Sequence, residues 1–229
     1  MNYFVQNSDG SRKESAAMAR NSKNPNHPRK GSVIKVEPLR NLDDIRKIKN
    51  LLANNKRDLC LFTVGINTAY RASELVSIRV GQVTHLEPGD TLTVRQPKNG
   101  ALRTVTINHA AHKAIQGWLE EHPASDQPFA PLFPSRTTGR ALKSNTVSKY
   151  MKRWCRVAEV PGNYASHTMR KTFGFHVYRS NHSKEPGVTS HPRIGELMLV
   201  YGHATERQTL TYLCIQEQEI SEMYMAVGL

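Results

Sequence analysis

Cysteine is scarce in this sequence. The 229 residues contain three cysteines, Cys60, Cys155 and Cys214, which are widely spaced and form no C-x-x-C pair. An odd and scattered set of this kind argues against a disulfide scaffold and a cysteine-based zinc site. Cys60 lies in the apolar run LCLFTVGI, which predicts a small core residue. The pattern favours a reducing, cytoplasmic compartment.

Long apolar stretches are also absent. No run approaches the roughly 20 apolar residues that a membrane-spanning helix needs. The N-terminal stretch MNYFVQNSDGSRKES has no apolar core of the kind that marks a secretory signal. The sequence therefore predicts no association with a membrane.

Acidic residues are too few to balance the basic ones. The chain has 32 Lys and Arg against 19 Asp and Glu, and its formal net charge is +13. Such an excess attracts polyanions and predicts salt-sensitive binding, with nucleic acid as the first candidate. Charge alone does not separate a DNA-binding protein from other basic proteins.

Residues 1–40 differ in composition from the rest of the chain. They have little apolar periodicity, are rich in Ser, Asn and Pro, and hold eight basic against three acidic residues. This composition predicts a basic, flexible N-terminal segment, either a disordered tail or an arm that follows DNA, and the two readings are compatible. Residues 41–229 are predicted to form the folded domain.

Helical periodicity begins near Asn41, which with Asp43 is a candidate N-cap. Apolar residues recur at helical spacing in the following segment, namely at Leu42, Ile45, Ile48, Leu51 and Leu52. Further helices are predicted at residues 58–67, from 72 onward, and at 109–121, 145–158, 168–179, 193–200, 206–213 and 217–225. The segments TLTVRQ and LRTVTI predict two strands joined by a PKNG turn. The predicted fold class is mainly α with a small antiparallel β-sheet (α+β).

Four segments carry side chains that are suited to phosphate chemistry. In chain order they are TAYRASELVSIRV with Arg71 and Glu74, QPKNGALRTVTI with Lys98, SHTMRKTFGFHVY with His167 and Arg170, and YGHATERQTLTYL with His203 and Tyr212. Taken singly, each has an ordinary explanation. Arg71 and Glu74 have the spacing of a surface ion pair, Lys98 lies in a polar turn, and Tyr212 is typical of a core position. A single motif match of this kind carries little weight.

The conjunction of the four segments resembles the tyrosine recombinase, or phage integrase, family. That family has an Arg-x-Ser-Glu-Leu segment, a Lys-bearing β-hairpin, a His-x-x-Arg pair and a Gly-His followed by Tyr nine residues after the His. The resemblance extends from Asn41 to the C-terminus, so it implies the tyrosine recombinase catalytic-domain fold for residues 41–229. It further implies double-stranded DNA as the partner and four protomers assembled on two synapsed sites.

The resemblance also implies a role for each of six residues. Tyr212 attacks the scissile phosphorus and leaves a 3′-phosphotyrosyl bond and a free 5′-hydroxyl, so the bond energy is kept and ATP is not needed. Arg71, Arg170 and His203 donate to the non-bridging oxygens. His167 accepts the tyrosine proton and Lys98 protonates the departing 5′-oxygen. Neither a metal nor another cofactor is expected, because the arginines supply the positive charge.

The sequence departs from the family pattern in three places. Many members carry a helical core-binding domain of roughly a hundred residues before the catalytic one, whereas about 40 residues precede it here. The chain is therefore a fragment, relies on an accessory DNA-binding protein, or is a single-domain recombinase. Lys171 stands where members often have His. Residues 181–192 are longer than a minimal connection and predict a mobile loop.

The last predicted helix has an apolar face formed by Ile220, Met223, Tyr224 and Val227. This face predicts docking on a neighbouring protomer, and packing within the same chain explains the pattern equally well. Two other functions also remain open. One is DNA relaxation of the type IB topoisomerase kind, and the other is a non-catalytic DNA-binding regulator. For all three functions we expect a cytoplasmic protein that is nucleoid-associated in bacteria or encoded by a phage.

Overall fold

Helices make up most of the computed structural model, which describes residues 35–96, 100–180, 193–215, 224, 225 and 227. The helices are α1 (Leu42–Leu51), α2 (Lys56–Thr68), α3 (Ala72–Leu75), α4 (His109–Leu119), α5 (Ser144–Val157), α6 (Ser166–Ser180), α7 (Ile194–Tyr201) and α8 (Glu206–Leu213). The strands are β1 (Thr91–Arg95) and β2 (Leu102–Thr106). The predicted fold class, mainly α with a small antiparallel sheet, is confirmed. Lys98, the 181–192 segment and most of the predicted 217–225 helix lie outside the described residues.

Helix α1 begins where its cap predicts. The side chain of Asn41 accepts a hydrogen bond from the backbone N–H of Asp43 at 2.8 Å, which satisfies one of the free donors of the first turn. Ile45 and Ile48 are buried, whereas Leu42 and Leu51 are exposed. The apolar stripe in the sequence is therefore wider than the face that the helix buries.

The two strands form an antiparallel hairpin in which Leu92 pairs with Val105 and Val94 with Arg103. Leu92 and Val94 are buried. Because side chains alternate between the faces of a strand, Arg103 and Val105 lie on the same face of β2. The hydroxyl of Tyr70 donates to the carbonyl of Leu92 at 2.6 Å and attaches the sheet to the chain that follows α2.

Helices α7 and α8 pack on α6 through a small apolar cluster of their own. Its buried members are Ala69, Tyr178, Ile194, Leu197, Tyr201 and Leu213. A Cβ atom on Gly174 of α6 would lie 2.0 Å from the Tyr201 hydroxyl oxygen and 2.7 Å from a Leu213 methyl carbon. Only glycine at this position lets both helices approach α6 so closely.

Residues 35–40 also belong to the described fold, although they precede the periodic pattern. Leu39 is completely buried, and its backbone N–H donates to the Thr172 hydroxyl at 2.9 Å. The ring of His176 forms a 2.9 Å hydrogen bond with the carbonyl of Leu39. This extended segment is therefore fixed along α6. None of the described helices has the length and apolarity to cross a membrane.

Candidate active site

Five of the six predicted catalytic residues lie in the described structure, and the fold brings them together from distant parts of the sequence. Arg71 precedes α3, His167 and Arg170 lie on the first turns of α6, His203 follows α7, and Tyr212 lies on α8. The sixth, Lys98, lies outside the described residues. The site is therefore formed where the start of α6 meets the ends of α7 and α8.

Tyr212 faces His167 across this junction. The His167 Nδ1 atom is 3.4 Å from the Tyr212 hydroxyl oxygen, and the two rings meet edge to face. This separation is at the long end of hydrogen bonding, as is common for catalytic pairs before the substrate binds. An imidazole in this place can accept the phenolic proton.

Arg71 is held by a buried carboxylate. Its backbone N–H donates to Glu74 Oε2 at 2.7 Å and its guanidinium donates to Oε1 at 2.8 Å. Glu74 is completely buried, while the Arg71 side chain keeps 41% of its surface exposed. The ordinary explanation of this spacing, a surface ion pair, therefore does not describe the carboxylate, which is buried beneath a partly exposed arginine. Arg71 also donates to the Gln96 side chain at 3.1 Å, at the end of β1.

Arg103 is a further charged residue of the site, and the sequence analysis did not single it out. It lies on β2 with one guanidinium nitrogen 3.8 Å from Glu74 Oε2, and its guanidinium lies over the Tyr70 ring. Burial lowers the pKa of Arg103, Glu74 opposes this, and Arg71 adds to it. The available signal was alternation along β2, which places Arg103 on the same face as the partly buried Val105.

Arg170 is almost completely buried and is oriented by backbone carbonyls. One guanidinium nitrogen donates to the carbonyl of Ala69, and another lies 3.5 Å from the carbonyl of Tyr201. The guanidinium also lies 4.6 Å from the centre of the Tyr201 ring. Burial, followed by the positive charge of Arg103, lowers the pKa of Arg170 to about 10. Arg170 therefore remains charged at neutral pH.

His203 is positioned by the end of α7. Gly202 adopts a left-handed conformation with φ of 69°, and the His203 N–H donates to the carbonyl of Met198 at 3.0 Å. The His203 Nδ1 atom lies 3.1 Å from the Thr209 hydroxyl, and the ring centre is 5.2 Å from that of Tyr212. His203 therefore borders the ring of Tyr212.

Two tyrosines lie at the site, and their surroundings distinguish them. The Tyr201 hydroxyl donates to the carbonyl of Arg170 at 2.9 Å, and burial raises its pKa. The Tyr201 hydroxyl proton is therefore engaged in a hydrogen bond to the backbone. The Tyr212 hydroxyl faces His167 instead, and its ring is less deeply buried. The Tyr212 hydroxyl therefore has a neighbouring imidazole that can accept its proton.

The site lowers the pKa of both histidines. For His167, the main cause is loss of hydration around the ring, although the residue as a whole is exposed, and the charge of Arg170 adds to it. For His203, burial and then Arg170 act in the same direction. Both imidazoles are therefore favoured in the neutral form, which for His167 is the proton-accepting form.

Burial raises the pKa of Tyr212, while the charges of Arg170 and Arg71 oppose that rise. The described residues contain no group of three His, Cys, Asp or Glu side chains that could hold a metal ion. The positive charges that act on the Tyr212 phenol include those of Arg170, Arg71 and Arg103.

Residues 40–186 match the phage integrase family, so the chain belongs to that family. The chain is 26% identical over 194 residues to the probable integrase/recombinase YoeC of Bacillus subtilis, and the match covers 84% of this chain and 97% of that protein.

Solved structures show the same fold. The crystal structure of XerA recombinase is 20% identical, has a TM-score of 0.67, and is matched over 89% of this chain and 66% of that one. XerH site-specific recombinase, in a post-cleavage complex with its palindromic difH substrate, is 20% identical with a TM-score of 0.63, over 84% of this chain and 53% of that one. The fold is that of a tyrosine recombinase catalytic domain. The chain thus spans nearly all of the Bacillus relative, but only about two thirds of the XerA chain and about half of the XerH chain.

Proposed function

We propose that the chain is a site-specific DNA recombinase that cleaves and rejoins strands through a covalent bond to Tyr212. One observation carries the proposal: the Tyr212 hydroxyl lies 3.4 Å from His167 in a site lined by arginines. A phenol, a proton acceptor and fixed guanidinium groups are what transesterification of a phosphodiester requires.

Each described residue has a part in the proposed reaction. His167 accepts the proton as the Tyr212 oxygen bonds to phosphorus. Arg71, Arg170 and His203 donate to the non-bridging oxygens, whose negative charge increases in the transition state. Glu74 acts indirectly, because it fixes the orientation of the Arg71 fork.

Lys98 is the proposed general acid for the 5′-oxygen. It follows Gln96 by two residues in the sequence, and the Gln96 side chain contacts Arg71. Protonation of the departing oxygen completes the cleavage step. In the joining step, the free 5′-hydroxyl of the partner strand attacks the phosphotyrosyl bond, releases Tyr212 and forms a new phosphodiester bond. Every bond broken is replaced by an equivalent ester bond, so no energy source is consumed.

The proposed partner is double-stranded DNA, bound by a homotetramer on two synapsed sites. The excess of basic residues and the DNA-bound state of XerH support the proposal that the partner is DNA. An accessory DNA-binding protein is a further proposed partner. We further propose that the basic N-terminal segment, predicted as residues 1–40, acts as an arm before residue 35. The catalytic domain, predicted as residues 41–229, then also includes residues 35–40, which pack along α6.

The test is to find the DNA to which the protein bonds. Sheared DNA from the host is incubated with the protein, and the reaction is stopped in denaturant. The strands that remain attached to the protein are then sequenced. We expect ends that cluster at one short sequence and carry the protein on the 3′-phosphate. A topoisomerase would leave ends at dispersed sites, and a non-catalytic regulator would leave none.

A further inference from the structure

Lys171 lies next to Arg170 on α6, and its side chain is directed into the protein. The residue is 7% exposed, and its Nζ atom donates to the carbonyl of Val36 at 2.7 Å and to the Cys214 sulfur at 3.2 Å. The same nitrogen lies 4.9 Å from the centre of the Tyr212 ring. Because a buried ammonium must replace its lost hydration, these contacts fix where the charge can lie. The charge is held against the ring of the nucleophile.

The two polar anchors of Lys171 are themselves fixed. Cys214 ends α8 in a left-handed conformation with φ of 58°, two residues after Tyr212, and its carbonyl accepts a hydrogen bond from Arg40. Val36 belongs to the extended segment that Leu39 ties to α6 through the Thr172 hydroxyl. Lys171 therefore links the end of α8, which carries Tyr212, to α6, which carries His167 and Arg170.

Cations and neutral rings surround the Tyr212 phenol. The charged and titratable groups that border it are His167, Arg170 and Lys171 from α6, Arg71 before α3, Arg103 on β2, Tyr201 and His203 at the end of α7, and Cys214 at the end of its own helix. Two histidines in this surrounding have lowered pKa values. Lys171 therefore adds an ammonium group, with three hydrogen-bond donors, beside a ring whose neighbouring histidines are favoured as neutral imidazoles.

We propose that Lys171 is a positioning residue for Tyr212, which holds the ring and the end of α8 in place and stabilises the phenoxide that attacks DNA. The contact needs no DNA. The inference deepens the proposed function, and only its catalytic consequence rests on that function.

The first experiment measures the ionisation of Tyr212 without DNA. The protein is labelled with a fluorotyrosine, and the fluorine NMR resonance of Tyr212 is assigned by its loss in Tyr212→Phe. In Lys171→Met, which keeps the length of the side chain but removes its charge, the ionisation constant should fall roughly 2- to 30-fold, the range of a cation–π contact. Lys171→Arg should stay close to the unsubstituted protein. Lys113→Met, at an exposed lysine on α4, is the matched control.

The result that overturns the proposal is a Tyr212 titration that does not move in Lys171→Met while the variant melts as a folded protein. An equal shift in Lys171→Arg would also overturn it, because the charge would then be irrelevant.

The second experiment measures single-turnover cleavage of the duplex found by covalent trapping. Lys171→Met should bind that duplex with unchanged affinity and cleave it 2- to 30-fold more slowly near neutral pH, with the deficit shrinking as pH rises. A deficit that is constant with pH would mean packing alone and would overturn the proposal. If the unsubstituted protein forms no DNA adduct at all, the proposed function fails, while the fluorine titration still decides the role of Lys171.

Discussion

Glu74 connects two of the arginines that surround the Tyr212 phenol. Its buried carboxylate contacts Arg71 directly and Arg103 at 3.8 Å. Among the causes of the raised pKa of Tyr212, burial comes first, and the charge of Arg103 is one that opposes it. A fixed array of this kind needs little reorganisation when negative charge develops, which is how preorganised sites lower a barrier.

Replacing Arg103 should therefore slow chemistry without weakening binding. In Arg103→Met we expect cleavage to slow by about 10-fold, less than the roughly 10²–10³ that loss of a direct donor costs, because Arg103 acts through its charge. The measurement is the single-turnover rate at saturating protein. Arg95→Met, an exposed arginine of the neighbouring strand, is the control. An Arg103 variant that loses affinity but keeps its rate would contradict this role.

Lys98 can be tested by changing the leaving group. If it is the general acid, Lys98→Ala should cleave about 10²–10⁴-fold more slowly, and replacing the bridging 5′-oxygen with sulfur should restore the rate. A thiolate leaves readily without a proton. Arg71→Ala should not be rescued, because its contact is with the non-bridging oxygens. If sulfur brings no selective recovery and binding becomes weaker and more salt-sensitive, Lys98 is a phosphate contact.

The lowered pKa of His167 predicts the acid limb of the pH profile. The base works in its neutral form, so cleavage is lost as pH falls through the His167 pKa. Because that pKa is below the ordinary value of about 6.5, activity should persist to lower pH than an unperturbed histidine allows. The second-order rate constant on the sulfur substrate reports this limb for the free enzyme. A midpoint above the ordinary value, or a limb unchanged in His167→Ala, would argue against His167 as the base.

At the scale of elements, the site depends on how closely α7 and α8 approach α6. Gly174 is the contact point, since a Cβ there would lie 2.0 Å from the Tyr201 oxygen. Gly174→Ala should therefore lower the free energy of unfolding by about 1–3 kcal/mol, as overpacking does, and should displace Tyr212 from His167. Chemical denaturation measures the first effect and the cleavage rate the second.

Gly117→Ala on α4 is the matched control for Gly174→Ala. Among the described residues outside its own stretch of helix, no atom lies within 4 Å of the added Cβ. In this helix interior, alanine should stabilise the protein by about 0.5–1 kcal/mol. If both alanine variants behave alike, close packing at Gly174 is not what positions the site.

Elements with a regular period could be predicted, and those without one could not. Helix α8 and the two strands follow from their patterns, as does the start of α1 at Asn41. Residues 35–40 have no period, and their place on α6 depends on single hydrogen bonds such as that of Leu39. Such contacts between distant residues leave no local mark in the sequence.

At the scale of the whole molecule, the order of four motifs in the sequence was enough to indicate the family. It did not indicate which residues contact one another in the site. The spacing of Arg71 and Glu74 is also that of a surface ion pair, but the Glu74 carboxylate is completely buried and lies within 4 Å of both Arg71 and Arg103. Arg103 and Lys171 belong to the site for the same reason. Their functions depend on residues far away in the chain, which spacing does not encode.

In the proposed reaction, Tyr212 alone bonds to DNA. The direct measurement is peptide mapping by mass spectrometry of the adduct trapped in denaturant, with Tyr212→Phe as the comparison. We predict that the nucleotide mass is attached to the Tyr212 peptide only, and that Tyr212→Phe forms no adduct but binds DNA with nearly unchanged affinity, because the interface is dominated by phosphate contacts. Attachment at Tyr201, at Tyr224 or at a serine would show that Tyr212 is not the nucleophile.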